Sequence, residues 1–126
     1  MVRLPLKPGA VAFGDDSVIV SATCLRWRGL GDLAALARPA LRMRADWPSV
    51  DGAIGLAIAV ELSQRATWSL SVWRSEEDLR RFLGSPAHVA AMTAHRRRLS
   101  TSSSATWRSE RFVLGDAWRE ARRRLR

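Results

Sequence analysis

Three side chains that can contact a ligand share one face of a predicted helix. His88, Met92 and His95, followed by Leu99, are spaced by four, three and four residues, which places all four on the same side of a helix. His88 follows Pro86 in the first turn, where the helix N-terminus favours the neutral imidazole that acts as a base or ligates iron. A structural histidine bonded to the backbone is the alternative, and His95, beside three arginines, is expected on the surface. The face predicts a pocket wall and leaves the ligand open.

The strand that precedes this helix brings an indole to the same neighbourhood. Residues 67–73 alternate strictly, so Trp68 and Trp73 point to opposite sides, and we assign Trp73 to the pocket side together with the serines. A place at the pocket rim or in a dimer contact is the alternative for Trp73. The expected lining of the pocket is Trp73, Phe82, Met92, Ser69, Ser71 and Thr23. Phe82 and Met92 serve equally well as core residues.

Glu61 is the only acid on a strand face of small residues. It is a candidate general base or polar pocket wall, with a solvated residue at a strand end as the alternative. His88 and Glu61 are therefore the two candidate catalytic residues. The sequence has no glycine-rich phosphate loop, paired catalytic carboxylates or Ser-His-Asp set.

The elements that must position these residues follow the order β-α-β-β-α-β with a final helix. Residues 1–16 predict an irregular arm and residues 17–126 a single domain. The predicted strands are 17–27, 53–62, one that begins at 67, and 104–112; the predicted helices begin at 32, 76, 86 and 116. Pro39 is expected to kink or end the first helix, 42–52 and 99–104 are expected to be loops, and Ser85-Pro86 divides the helical region after residue 75. This order is typical of an α+β ferredoxin-like domain.

The alternation of the strands predicts two unlike sheet faces. Ile54, Leu56 and Ile58 are expected to lie under the helices. The opposite face is expected to carry small and polar residues: Ser21, Thr23, Gly55, Ala57, Ala59, Ser69 and Ser71. Small residues suit a second sheet packed close by, so the pattern predicts a homodimer.

Composition limits the class of protein. The chain has 126 residues, which suits one domain, and its 47% hydrophobic content argues against disorder. No apolar run is long enough to cross a membrane, and the first residues lack the apolar segment of a secretory signal. The single cysteine, Cys24, is read as a core residue and excludes an internal disulfide. We expect a cytoplasmic protein.

The net charge of +9 raises the question of an anionic partner. Two arginine clusters, at 96–98 and 119–124, carry much of it, and both fall at predicted helix ends, where cations are favoured. Nucleic acid is therefore a minor alternative among the partners.

The run from Ser71 to Phe82, followed by Ser85-Pro86-Ala87-His88 and Met92, resembles the second half of the dimeric α/β-barrel superfamily. That group includes antibiotic-biosynthesis-monooxygenase-like domains, heme-degrading monooxygenases, and uncharacterised proteins similar to spheroidene monooxygenase. The resemblance implies a barrel dimer of ferredoxin-like subunits with a pocket between the sheet and the helices of each subunit.

The sequence differs from the heme-degrading monooxygenases at positions that matter for their function. The first strand lacks their Asn, Phe82 stands in the place of their Trp, and Met92 in the place of their His. His88 matches instead the His of the spheroidene-monooxygenase-like proteins.

Three functions remain open at this point. The first is a monooxygenase-type enzyme with a hydrophobic pocket for an aromatic or polyene substrate, which works without a cofactor and uses His88 as the base. The second is heme binding through His88, in which case the pocket is a cofactor site and His88 the metal ligand. The third is a non-enzymatic binder of anions or nucleic acid that uses the arginine clusters.

Overall fold

A single antiparallel sheet forms the centre of the molecule. The computed structural model describes residues 1–125. The strands are β1 (Val2–Arg3), β2 (Lys7–Pro8), β3 (Val18–Trp27), β4 (Ala53–Glu61), β5 (Ala66–Trp73) and β6 (Leu99–Ser109). Their order across the sheet is β1-β4-β5-β3-β6, with β2 also paired to β4. The four long strands therefore have the ferredoxin-like order, which confirms the predicted fold.

Helices cover both faces of this sheet. They are α1 (Leu30–Asp46), α2 (Glu76–Leu83), α3 (Pro86–His95) and α4 (Leu114–Arg124). Residues of α1 and α2 join one apolar cluster, whereas α4 belongs to the other. None of these helices is long and apolar enough to span a membrane.

The first sheet face, which we call the helix-layer face, packs against α1, α2 and the short helical turn Trp47–Ser49 that follows α1. Its buried residues are Ile19, Trp47, Ala53, Leu56, Ile58, Trp73 and Leu79. Trp47 and Trp73 are fully buried and contact each other edge to face, with ring centroids 5.3 Å apart.

The second sheet face, which we call the α4 face, is covered by the final helix. Ala117, Trp118 and Ala121 of α4 are buried against it. The strand residues beneath are Val18, Val20, Ala22, Cys24, Ile54, Ala57, Ala59, Ala66, Trp68, Leu70 and Val72. The small residues of β4 are therefore buried within the chain itself. The expectation that Ile54 lies with Leu56 and Ile58 is wrong, because the register of β4 shifts between Ala53 and Gly55.

The predicted division of the faces is also wrong for the serines. Ile58 lies opposite Ser69, and Ala57 lies opposite Leu70. Since directly paired residues share a face, the serines lie with the large residues of β4, and the alanines lie on the other side. The face of small residues that would have required a second subunit does not exist as predicted.

Three local predictions also require correction. Pro39 does not end α1, which continues to Asp46; the proline is on the exposed side, where water can satisfy the carbonyl that loses its donor. The serine-rich segment expected as a loop is the first half of β6, because five of the ten positions at which β6 pairs with β3 lie within 99–104. The arm at 1–16 is partly regular, because β1 and β2 pair with the outer edge of β4.

The two helix starts after β5 are confirmed. The Ser75 hydroxyl accepts a hydrogen bond from the Asp78 amide at 3.2 Å, and the Ser85 hydroxyl accepts one from the His88 amide at 3.3 Å. Pro86 occupies the first turn of α3, and Gly84 ends α2. The break therefore sets the position of His88.

Candidate functional site

The inner face of α3 consists of three of the four residues that the sequence pattern selected, whereas the fourth, Leu99, is the first residue of β6 and not part of the helix. His88, Met92 and His95 are half-buried, and the other residues of α3 are exposed. The predicted face is therefore confirmed as the face that turns toward the protein. The expectation that His95 lies on the surface is wrong, because its ring packs edge-on against buried Trp27 with centroids 6.1 Å apart.

A row of hydroxyl groups lies on the helix-layer face beside α3. Ser21, Thr23, Ser69 and Ser71, which we call the serine floor, pair with one another across β3 and β5. All four are half-buried, whereas their neighbours on the α4 face are buried. Neither α1 nor α3 buries a residue of its own, so the helices leave the serine floor incompletely covered.

Aromatic residues bound the serine floor at its two ends. At one end Trp27 donates from its indole nitrogen to the Thr67 hydroxyl at 3.1 Å. At the other end Trp73 lies 5.2 Å from the Phe82 ring, and the Phe82 ring lies 5.2 Å from the His88 ring. Because His88 and His95 belong to these opposite ends, the inner face of α3 runs alongside the floor.

The hydrogen bond of His88 fixes which nitrogen is free. Its Nδ1 lies 3.1 Å from the Leu83 carbonyl oxygen, and a carbonyl can only accept, so Nδ1 carries the proton. The neutral ring then has its lone pair on Nε2, which is the form required of a base or a metal ligand.

Two indole nitrogens of the aromatic cluster have no partner. The Nε1 atoms of Trp47 and Trp73 are buried and donate to no acceptor within the described part of the chain. A buried N–H without an acceptor costs about 1–3 kcal/mol. Trp73 lies on the helix-layer face, opposite to Trp68, and is fully buried in the apolar cluster there.

Glu61 does not belong to this region. It lies on the α4 face, where one carboxylate oxygen accepts a hydrogen bond from the Trp68 indole nitrogen at 3.3 Å. The sheet separates it from His88, so the two candidate catalytic residues do not act on one ligand. The other predicted lining residues, Thr23, Ser69, Ser71, Trp73, Phe82 and Met92, all lie on the helix-layer side.

Sequence reasoning missed two aromatic residues of this region. Trp47 was assigned to a loop because Pro48 follows it, yet it packs on both Trp73 and Phe82. Trp27 was read only as the end of a strand. A tryptophan at the end of a predicted element was the available signal, since burying so large a side chain stabilises the fold strongly.

The two arginine clusters are on opposite sides of the sheet. Residues 96–98 follow α3 on the helix-layer side, whereas 119–124 lie in α4. Several of these arginines are paired within the chain: Arg98 with Asp32, Arg119 with Asp116, and Arg123 and Arg124 with Glu120, whose pKa they lower to about 2. They do not form a continuous cationic surface.

The described residues include no group of three or more His, Cys, Asp or Glu side chains that could hold a metal ion. Cys24 is buried, and burial raises the pKa of its thiol above the ordinary value. The expectation that it is a core residue is confirmed.

The fold is that of ferredoxin-like α+β structures, several of which are described as proposed antibiotic biosynthesis monooxygenases. Among solved structures, SnoaB, a cofactor-independent oxygenase from Streptomyces nogalater, matches with a TM-score of 0.57 and 21% identity, over 79% of this chain and 97% of that one. A protein from Deinococcus radiodurans proposed to be an antibiotic biosynthesis monooxygenase matches with a TM-score of 0.65 and 15% identity, over 76% and 95% of the chains. At these identities the likeness establishes the fold, and the resemblance is confirmed at that level.

A third match is described as a dimeric ferredoxin-like protein of unknown function, from Thermobifida fusca. It has a TM-score of 0.62 and 13% identity, over 75% of this chain and 93% of that one. No protein-family model matches the sequence, and no curated protein matches it.

Proposed function

We propose that this protein is a cofactor-independent monooxygenase-type enzyme that binds an aromatic or polyene substrate between the serine floor and α3. The observation that carries the proposal is the fixed tautomer of His88, whose Nε2 is left as an acceptor beside the Phe82–Trp73 aromatic pair. The fold shared with SnoaB supports the reaction class.

The region offers suitable groups for a flat, electron-rich substrate. Phe82, which packs on buried Trp73, provides aromatic surface, and Met92 provides a polarizable side chain that adapts to ring systems. The hydroxyls of Ser69, Ser71 and Thr23 can bond to phenolic or keto oxygens of the substrate. This combination of apolar walls and a few polar groups is typical of small-molecule sites.

The chemistry requires a base and no electron carrier. His88 Nε2 takes a proton from an acidified C–H group of the substrate, and the resulting carbanion reduces O2. The peroxide that forms on that carbon takes back the proton and loses water. A methylene group and one O2 thus become a carbonyl group and one H2O, with one oxygen atom in each product.

The test uses 1,8-dihydroxyanthracen-9-one, an aromatic compound with an activated methylene group. We expect oxygen uptake in proportion to protein concentration, one O2 per quinone formed, above the rate of autoxidation in buffer. Uptake equal to that with an unrelated protein at the same concentration would refute the proposal.

Heme ligation through His88 is the second candidate, because an imidazole with its Nδ1 bonded to a backbone carbonyl is also suited to bind iron. The hydroxyl-rich floor fits the face of a porphyrin less well than it fits a substrate with several oxygens. The visible spectrum of protein from heme-replete cells separates the two, since a Soret band that disappears in His88→Ala would favour heme.

A further inference from the structure

A cavity of about 380 Å³ opens on the α4 face, at the end of the sheet away from the residues proposed for oxygenation. It is lined by Arg26, Glu61, Gln64, Trp68 and Arg122. The sequence analysis considered Glu61 and Arg122 separately and did not bring them together with Arg26, Gln64 and Trp68.

The register of three strands explains why there is space here. Arg26 of β3 and Glu61 of β4 both pair with Ala66 of β5, so they stand on either side of a buried methyl group. Adjacent strands are about 4.8 Å apart, so the two charged residues start roughly 10 Å from each other with only an alanine between them. Trp68 forms the inner wall, two residues along the same strand, and Arg122 reaches the opening from α4.

Within residues 1–125, neither guanidinium group has an acidic partner. Arg26 donates to the Gln64 side-chain oxygen at 3.1 Å, and Arg122 contacts the Met1 sulfur at 3.3 Å. Across residues 1–125, neither lies within 4.0 Å of a carboxylate, whereas the neighbouring arginines of α4, at 119, 123 and 124, are all ion-paired. Glu61 is already bonded to Trp68.

We propose that this cavity is a binding site for a small oxyanion, a carboxylate or phosphate group, held between Arg26 and Arg122 with Trp68 as its wall. Two half-buried guanidiniums that face one cavity repel each other, and an oxyanion removes that repulsion while accepting charge-assisted hydrogen bonds from both. Glu61 on the far side limits the site to small anions, because a larger one would approach its carboxylate.

The experiment follows the indole N–H signal of Trp68 in ¹H–¹⁵N spectra of the full-length chain. The chain has six tryptophans, so the signal is assigned by its loss in Trp68→Phe. Inorganic phosphate and sodium acetate are titrated separately at constant ionic strength with sodium chloride as the balancing salt. We expect a saturable shift with at least one probe. The comparison of the two probes shows whether the site takes a phosphate or a carboxylate group.

Arg26→Gln and Arg122→Gln are expected to weaken binding by at least about tenfold, the effect of losing one charge-assisted hydrogen bond. Arg119→Gln is the matched control, since Arg119 is also on α4 but pairs with Asp116, and it should bind as the unaltered protein does. A linear shift without saturation, or equal binding in all three variants, would overturn the proposal.

Glu61→Gln keeps the test valid if the arginine variants fail to fold. It retains an oxygen acceptor for Trp68 but removes the negative charge, so the anion should bind several-fold more tightly. Unchanged or weaker binding in Glu61→Gln would count against the site.

Discussion

His88 combines a structural hydrogen bond and a free acceptor in one ring, and two substitutions can separate these roles. Asparagine can replace the Nδ1 donor to the Leu83 carbonyl but has no counterpart of Nε2, whereas glutamine places a polar group near Nε2 and loses the Nδ1 donor. The two atoms can therefore be tested independently.

We expect His88→Asn to retain the thermal stability of the unaltered protein and to lose oxygen uptake, because the base is absent. His88→Gln should lose oxygen uptake as well, and it should be less stable by about 0.5–1.5 kcal/mol, the value of one hydrogen bond. Thermal unfolding measures the stability of each variant, and an oxygen electrode measures its oxygen uptake. Full turnover in His88→Asn would show that the residue is only structural.

Asp78 is the buried acid that holds the start of α2 in place. Its carboxylate accepts hydrogen bonds from Arg74 at 3.0 Å, from the Ser75 hydroxyl at 2.8 Å and from Arg81 at 3.0 Å. Arg74 in the first place, with Ser75 and Arg81, holds the pKa of Asp78 below its ordinary value of 3.8.

The lowered pKa has a defined consequence for stability. Because the folded state holds the proton less tightly than the unfolded state, the stabilisation by Asp78 is present above pH 3.8 and is lost as the pH falls through the folded-state pKa. Asp78→Asn should lower the free energy of unfolding by about 1–3 kcal/mol at pH 7, and the difference should shrink in strong acid. Urea unfolding at several pH values measures this. Glu77→Gln, whose side chain is 82% exposed, is the control and should change little.

At the scale of elements, the turn before β4 depends on a glycine. Gly52 has φ of +77°, and a Cβ at this position would overlap the Asp78 side chain. Its carbonyl also accepts the Arg74 amide at 3.0 Å, so the turn and the start of α2 form one unit.

Gly52→Ala should therefore destabilise the protein by more than about 1 kcal/mol, since both the backbone angle and the contact are unfavourable. Gly31→Ala is a matched change within α1, where the added methyl group meets no atom within 4 Å, and it should be neutral or raise stability by up to about 1 kcal/mol. Equal melting temperatures for the two variants would contradict this account of the turn.

The elements themselves were largely predictable, but their faces were not. Alternation within one strand shows which residues share a side, and the spacing of His88, Met92 and His95 identified the inner face of α3 correctly. Which side of β4 joins which side of β5 depends on the register between strands, and a single sequence contains no signal for it. For this reason the sequence did not show that Glu61 lies on the opposite face of the sheet from the serines. Its face follows from its pairing with Ala66.

The wrong predictions for the first half of β6 and for Pro39 of α1 each have a local cause. The serines of β6 are common in loops, yet the pairing with β3 supplies backbone hydrogen bonds that outweigh their weak preference. Pro39 is tolerated because it lies on the exposed side of α1.

At the scale of the whole molecule, the outer edge of β6 is open. The strand has eleven residues without proline or lysine and pairs only with β3 within the described sheet. Natural proteins usually protect such an edge, and one that is long and regular is suited to pair with a second copy. The small-residue face gives no reason to expect a homodimer, whereas the open edge of β6 does.

We expect light scattering to give a dimer at micromolar concentration. Ser103→Pro and Ser104→Pro test the edge, because the amides of successive residues point alternately toward β3 and away from it. The variant whose amide points outward should keep its melting temperature and become a monomer, while the other should be destabilised. If both remain dimers, the interface lies elsewhere.

The covering of the sheet by α4 also bears on how the chain is synthesised. The strands that form the α4 face precede α4 in the chain, so during translation they can leave the ribosome while Trp68, Leu70 and Val72 still lack their cover. An exposed apolar sheet of this kind is a site for chaperone binding or for aggregation with another nascent chain. Stalled translation before α4 should therefore yield chains that need a holdase to stay in solution, even though every strand has been made.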